Sequence, residues 1–140
     1  LAAILAIGLS GCTVPAKTAA RLIDGGFVFV SCEEFTYDTI SIGSIDFDHW
    51  KQGYTEDWNA SGFATLDPES ELIYGVPPDG FVTVLGPLEL PLTHHRIEVY
   101  LEFTPDDQPA VEVVGVFDSR KLSSDYWLRG DGSQNDKPCD

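Results

Sequence analysis

The segment RIEVYLEF, residues 96–103, decides the fold class because apolar and polar residues alternate along its whole length. Successive side chains of a β-strand point to opposite faces, so the alternation places one set in a core and the other in solvent. A strand with one buried and one solvated face is typical of an antiparallel sheet. The apolar set is Ile97, Val99, Leu101 and Phe103, and the polar set is Arg96, Glu98, Tyr100 and Glu102.

Short segments of the same kind recur on both sides of this strand, separated by turn residues. Residues 104–110, TPDDQPA, predict a turn, so we expect 111–117 to return beside 96–103 as a hairpin. About seven short strands without a long amphipathic helix predict an all-β fold, an antiparallel β-sandwich, with an α+β domain as the fallback. An immunoglobulin-like arrangement is one candidate topology. The other predicted strands are 26–32, 35–42, 71–76 and 81–85, with weaker candidates within 54–66.

In the segment 35–42, FTYDTISI, the alternation separates two isoleucines from a tyrosine. Ile40 and Ile42 fall on one side of the predicted strand, and Tyr37 falls on the other. Gly43 then interrupts the pattern, which predicts a bulge or a turn.

One short helix is predicted near the C-terminus, at residues 123–128, SSDYWL. Ser123 or Ser124 suits the N-cap, because a serine hydroxyl accepts a hydrogen bond from a free N–H of the first turn. Gly130 suits the end of such a helix, since glycine tolerates the left-handed conformation found there.

The first twelve residues, LAAILAIGLSGC, are mostly apolar and contain no charged side chain. This run is too short to cross a bilayer as a helix, which needs about 20 apolar residues. Its length fits the hydrophobic region of a secretory signal, and small residues follow it as a cleavage site requires. A plain secretory signal or an N-terminal hydrophobic helix are the alternatives.

The end of this run, Leu9-Ser10-Gly11-Cys12, resembles the lipobox of bacterial lipoproteins, which reads Leu, a small residue, Gly or Ala, then Cys. The chain as a whole is similar to uncharacterised actinobacterial lipoproteins, with a Trp-Leu pair and a Pro-Cys pair near its end. In that family the Cys thiol receives a diacylglycerol group and the leader is cut before the Cys.

The resemblance implies that Cys12 is the lipidated mature N-terminus, with further acylation such as palmitate, because two or more lipid chains anchor stably. It implies a signal peptide at 1–11, a lipidated tether at 12–20 and a single β-rich domain at 21–140. The protein would then be extracytoplasmic, with its lipid in the cell membrane or the outer membrane.

The cysteine count supports this division. The chain has three cysteines, and lipidation of Cys12 leaves Cys32 and Cys139. In an oxidising compartment an even remainder predicts a disulfide, with two free thiols as the alternative. The chain has no Cys-x-x-Cys pair that would predict a zinc site.

The charge of the chain restricts its partners. Asp and Glu number 23 against 8 Lys and Arg, which gives a formal net charge of −15. Such a surface repels the phosphates of DNA and RNA, so nucleic acid is excluded as an expected partner. It also repels anionic lipid head groups, so we expect the lipid on Cys12 to make the membrane attachment.

The histidines and nearby acids are weak candidates for chemistry. No Gly-x-Ser-x-Gly elbow accompanies the three histidines, so the sequence predicts no catalytic residue and no cofactor. Asp46, Asp48 and His49 resemble a metal ligand set, but on a strand His49 would point away from the two acids. Two adjacent histidines, His94 and His95, would diverge in the same way. No metal site is predicted, since the acidic tail 131–136 also departs from the calcium-loop pattern.

Carboxylates leave an enzymatic alternative open, a small carboxylate-dependent hydrolase acting on envelope glycans. Such chemistry needs two carboxylates about 5–10 Å apart across a cleft. Glu56 and Asp57 lie among aromatic residues, but adjacent side chains on a strand diverge.

Three aromatic residues within a short stretch favour a non-catalytic function. Trp50, Tyr54 and Trp58 lie among polar residues, and exposed rings beside polar groups can stack on sugars. The alternative is structural, with Trp58 in the core and Trp50 covering an edge. The sequence therefore predicts a lipid-anchored binding or envelope-structural module with a glycan or protein partner.

Overall fold

The computed structural model describes residues 17–140, which form two antiparallel five-stranded sheets. Two 3₁₀ turns, Phe47–Gln52 and Ser119–Lys121, interrupt the strands. Within the described residues no helix is long and apolar enough to cross a membrane. The strands are β1 (Thr18–Ile23), β2 (Gly26–Ser31), β3 (Phe35–Asp46), β4 (Thr55–Leu66), β5 (Leu72–Ile73), β6 (Val82–Leu85), β7 (His95–Phe103), β8 (Val111–Asp118), β9 (Trp127–Arg129) and β10 (Gln134–Asn135).

The sheets confirm the all-β prediction and the antiparallel sandwich. The first sheet has the order β10-β9-β1-β2-β5, and the second has the order β6-β4-β3-β7-β8. The predicted hairpin is formed by β7 and β8, which pair without a register shift from Arg96↔Asp118 to Phe103↔Val111.

The immunoglobulin-like topology stays a prediction. The second sheet has the order of a variable-type G-F-C-C′-C″ sheet, but the first contains the C-terminal β9 and β10 beside β1.

The core lies between the sheets and follows from the alternation in β7. Ile97, Val99 and Leu101 are fully buried, as predicted, and they pack in one cluster with residues from the first sheet. Phe117 of β8 meets Phe27 and Phe29 of β2 edge to face, with ring centroids 6.0 Å apart in each pair. Each such side chain contributes about 1.5–3 kcal/mol through burial.

The predicted alternation in β3 is wrong at one point. Tyr37 is buried together with Ile40 and Ile42, although strict alternation would place it on the opposite face. The ladder between β3 and β4 shifts register between Tyr37 and Thr39, and such irregularities bend a strand and re-aim its side chains.

The irregularity predicted at Gly43 is present, since the β3–β4 register shifts again between Ile42 and Gly43. A Cβ atom at Gly43 would lie 2.7 Å from the ring of Tyr54 and would also meet the carbonyl oxygen of Thr55. The close approach of the Thr55 backbone, and after it that of the Tyr54 ring, therefore requires glycine at this position.

The predicted helix at 123–128 is wrong. Trp127–Arg129 is strand β9, and Leu128 pairs with Ala20 of β1. A helix of six residues has little stability of its own. Burial of Leu128 in the first sheet therefore decides the conformation of the segment.

The domain begins earlier than residue 21. β1 starts at Thr18, and Ala19 and Ala20 are fully buried, so residues 18–20 belong to the sandwich and not to the predicted tether. The predicted signal peptide at 1–11 and the lipidation of Cys12 lie outside the described residues.

The two cysteines predicted to pair have disulfide geometry. Cys32 follows β2, and its Sγ lies 2.04 Å from the Sγ of Cys139, with the Cα atoms 5.8 Å apart. Arg129 also holds the C-terminal tail, because its guanidinium lies 2.7 Å from the carboxylate of Asp140. The C-terminus is thereby attached to the early strands of the first sheet.

Candidate functional site

The three aromatic residues predicted to form a binding surface do not lie on one surface. Trp58 is 0% exposed, and its Nε1–H donates to Thr83 Oγ1 over 3.3 Å. Trp50, in the first 3₁₀ turn, is 65% exposed, while Tyr54 packs against Gly43. The three rings therefore do not form the predicted aromatic surface. Trp58 occupies an inward position of β4 and lies in the core, as the structural alternative expected.

Tyr54 belongs instead to a polar cluster on the outer face of the second sheet. Its ring meets that of Tyr100 edge to face, with centroids 5.4 Å apart, and its hydroxyl lies 2.8 Å from Ser41 Oγ. Burial raises the pKa of Tyr54 to about 12.

Glu98, at the centre of this cluster, is only 3% exposed, although the alternation predicts a solvated side chain. Its carboxylate accepts a hydrogen bond from the Tyr100 hydroxyl and pairs with Arg96 at 2.7 Å. The surrounding long side chains cover a carboxylate on the solvent face, which alternation alone does not reveal.

All three histidines of the chain meet two aspartates at one corner of the second sheet. His49 Nδ1 lies 3.0 Å from Asp46 Oδ2, and His95 Nε2 lies 3.9 Å from the same oxygen. His94 Nε2 lies 3.0 Å from Asp48 Oδ1. The expectation that His49 points away from the acids is wrong, because residues 47–52 form a 3₁₀ turn and not a strand.

This histidine corner is divided between two aspartates, because His49 and His95 face Asp46 while His94 faces Asp48. His94 and His95 diverge, as predicted, toward different aspartates. Asp46 also caps the 3₁₀ turn, since its Oδ1 accepts from the N–H of Asp48 at 2.9 Å. Within residues 17–140 no group of three His, Cys, Asp or Glu side chains is arranged to hold a metal ion.

The histidine corner predicts a pH dependence. The hydrogen bond to Asp46 raises the pKa of His49 above its ordinary value of about 6.5. We expect the His49 imidazole resonances to titrate above that value, and Asp46→Asn to move the midpoint down. Because the folded pKa is raised, the pair stabilises the fold fully below the unfolded pKa and loses this effect as pH rises through the folded pKa. An unchanged midpoint in Asp46→Asn, with the distant Asp125→Asn as control, would contradict this assignment.

The carboxylates considered for hydrolysis point to different partners. Glu56 accepts from Asn59 Nδ2 at 3.0 Å on the outer face. Asp57 is buried and accepts from Ser44 Oγ at 3.0 Å. Burial raises the pKa of Asp57, which is the direction a general acid requires, but its carboxylate is engaged by a core serine.

A cavity of about 460 Å³ lies beside the disulfide, and two other carboxylates line it. Hydrogen bonds from Ser133 lower the pKa of Asp131, and the hydrogen bond from Arg129 lowers that of Asp140. Both shifts run opposite to those of a general acid at neutral pH.

A second surface, which the sequence did not single out, lies along the edge of the sandwich at β6. Val82 and Val84 are 68% and 67% exposed. β6 pairs with β4 on one side, and no other backbone hydrogen bond engages Val82–Leu85 within residues 17–140. Seven of the eleven exposed large hydrophobic residues in the described chain lie between positions 63 and 88. We call the following six the edge face: Phe63, Val76, Val82, Val84, Leu85 and Leu88.

The segment that follows β6 is held against its neighbours by hydrogen bonds. The N–H of Leu88 donates to the Asp57 carbonyl at 2.9 Å, and the Tyr74 hydroxyl donates to the Leu88 carbonyl at 2.6 Å. A cavity of about 360 Å³ opens beside Leu88. Its walls are mainly apolar, and Glu89 supplies the carboxylate in its lining.

The segment that forms the edge face carries acidic but no Lys or Arg side chains. Residues 52–95, which contain β4, β5 and β6, include no Lys or Arg. The edge face is therefore apolar within a segment that has only anionic charged side chains, apart from two histidines at its end. The carboxylates of this segment are Glu56, Asp57, Asp67, Glu69, Glu71, Asp79 and Glu89.

The cation-free segment could have been read from the sequence, and the strand at 81–85 was predicted. The position of this strand at an edge of the sheet could not be predicted, because it depends on which strands pair, and those strands lie far apart in the sequence. Comparisons of the chain with protein-family models, with curated proteins and with solved structures found no match.

Proposed function

We propose that this protein is a lipid-anchored, extracytoplasmic binding module without catalytic activity, resembling bacterial lipoproteins in its processing. The division of the cysteines carries the proposal. Cys32 and Cys139 pair in the sandwich, and the remaining cysteine, Cys12, lies at the end of the lipobox-like sequence. A disulfide and a lipidated cysteine both belong to an extracytoplasmic compartment.

Two observations support binding over catalysis. The carboxylates of the larger cavity have lowered pKa values, while the carboxylate with the raised value, Asp57, lies in the core. The edge face exposes several large apolar side chains on β6 and on the segments near it, and exposed apolar groups of this kind are found at interaction surfaces. The partner would be another envelope protein, and glycan stacking has less support because Trp58 is buried.

The anchor can be tested in a bacterial host with a lipoprotein-processing pathway. We expect the protein in the membrane fraction, with a mass that begins at Cys12 and includes a diacylglycerol group and a further acyl chain. Cys12→Ala should abolish both acylation and membrane retention, while Cys139→Ala should leave them intact. A mature mass that begins at Cys12 without acyl groups would refute the anchor.

A further inference from the structure

We propose that the edge face and the adjoining cavity bind an extended, cationic segment of a partner protein. The segment would lie along β6, pack apolar side chains on Val82 and Val84, and insert one Lys or Arg side chain beside Glu89. This inference rests on the proposed binding function and names the chemistry of its partner.

The strand edge determines the conformation of the partner. An edge strand offers backbone N–H and C=O groups to an added strand, and alternate side chains give specificity. β6 is only four residues long, and its ladder with β4 shifts register between Asn59 and Ala60. A short extended segment fits this edge, whereas a long sheet would not.

The cation-free segment determines the charge of the partner. Residues 52–95 contain no Lys or Arg, and five of their seven carboxylates are exposed, while Glu56 is half-buried and Asp57 is buried. Several cations elsewhere are already paired, as with Arg96 to Glu98 and Arg120 to Asp118. A second copy of this chain would bring the same charge to the contact, and anionic lipid would be repelled as well. A basic protein segment is the complementary occupant.

The smaller cavity determines the anchoring side chain. Its volume of about 360 Å³ suits one long side chain, and its walls include Tyr74, Pro87 and Leu90. The methylene stem of Lys or Arg packs on apolar surface while its charged end stays at the polar rim. Glu89 is exposed and lines this cavity, so it can meet that charge.

Peptide binding to the full chain tests the inference. Cys12→Ser is included so that the result does not depend on lipidation. The probes are fluorescent heptapeptides of alternating Lys and Val, or of alternating Glu and Val, and the readout is fluorescence anisotropy at low and high salt. We expect the Lys-Val peptide to bind with an affinity that falls as salt rises, and the Glu-Val peptide not to bind.

Matched variants locate the site. Val82→Ser with Val84→Ser should weaken Lys-Val binding about tenfold, which is about 1.4 kcal/mol. Glu89→Gln should weaken it several-fold and reduce its salt dependence. The controls on the opposite edge strand, β8, are Val111→Ser with Val116→Ser and Glu112→Gln, and they should change nothing. Because the substituted side chains are exposed, urea unfolding should be the same for all variants.

Four outcomes would overturn the inference. They are no binding of the Lys-Val peptide, equal binding of the Glu-Val peptide, equal weakening by the β8 controls, and self-association or binding to anionic vesicles that requires Val82 and Val84. None of them affects the mass of the lipidated protein. Conversely, loss of the anchor would leave peptide binding by the Cys12→Ser chain unchanged, so the two proposals fail separately.

Discussion

Removal of the Cys32–Cys139 disulfide is expected to lower the free energy of unfolding by about 2–5 kcal/mol. The two cysteines are 107 positions apart in the sequence, so the bond closes most of the domain into one loop. A cross-link over so long a loop removes many conformations from the unfolded chain, which is the main source of its stabilising effect in the chain-entropy model. Urea unfolding of the Cys32→Ala, Cys139→Ala double variant measures the loss.

The tail should respond locally to the same change. Asp140 contacts Arg129 at 2.7 Å and Lys17 at 3.7 Å, and both ion pairs involve exposed partners that stabilise weakly alone. Without the disulfide, we expect faster amide exchange at Trp127–Arg129 of β9 than in β7. Cys12→Ser serves as the control and should leave the unfolding curve unchanged. Equal stability of the double variant and the parent would contradict the prediction.

The second large effect is expected at Trp58. Trp58→Ala should lower the free energy of unfolding by about 3–5 kcal/mol, because it removes a fully buried side chain and leaves a cavity. The indole lies against Tyr74 with ring centroids 5.6 Å apart and donates to Thr83 on β6. It therefore joins residues near the edges of both sheets.

Trp50 supplies the matched control for this prediction. Its ring is largely exposed, so Trp50→Ala should change stability by less than about 0.5 kcal/mol. Trp58→Phe keeps most of the apolar volume but loses the N–H donor, so its effect should be intermediate. Similar losses for Trp50→Ala and Trp58→Ala in urea unfolding would mean that Trp58 is not in the core.

The fold class was predictable because its main signal is local. In β7, Ile97, Val99 and Leu101 are buried where the alternation places them. Alternation was less informative in residues 54–66, where it indicated two weak strand candidates. The structure has one twelve-residue strand there, β4. Gly62 weakens strand propensity there, but its backbone approaches Gly80 and Phe81 of the adjoining turn closely.

Failures of prediction occurred where tertiary packing overrides local preference. The helix prediction at 123–128 rested only on the serine and glycine residues that could cap its two ends. Pairing with β1 instead makes Trp127–Arg129 a strand. At 47–52 a 3₁₀ turn forms where a strand was considered. Asp46 caps this turn, and the turn brings the His49 ring within hydrogen-bond distance of Asp46. Both segments are short, and short segments adopt the conformation that their neighbours stabilise.

The sequence by itself determined the all-β class, the inward face of β7 and the cation-free segment 52–95, and its cysteine count made Cys32 and Cys139 the expected pair. Those properties depend on spacing, count and composition, which are readable along the chain. Only the tertiary structure decided that β6 lies at an edge and that Trp58 lies inside. It alone brought the histidines to two aspartates. These properties depend on pairing between strands far apart in sequence, and that pairing is set by how both sheets bury their apolar faces together.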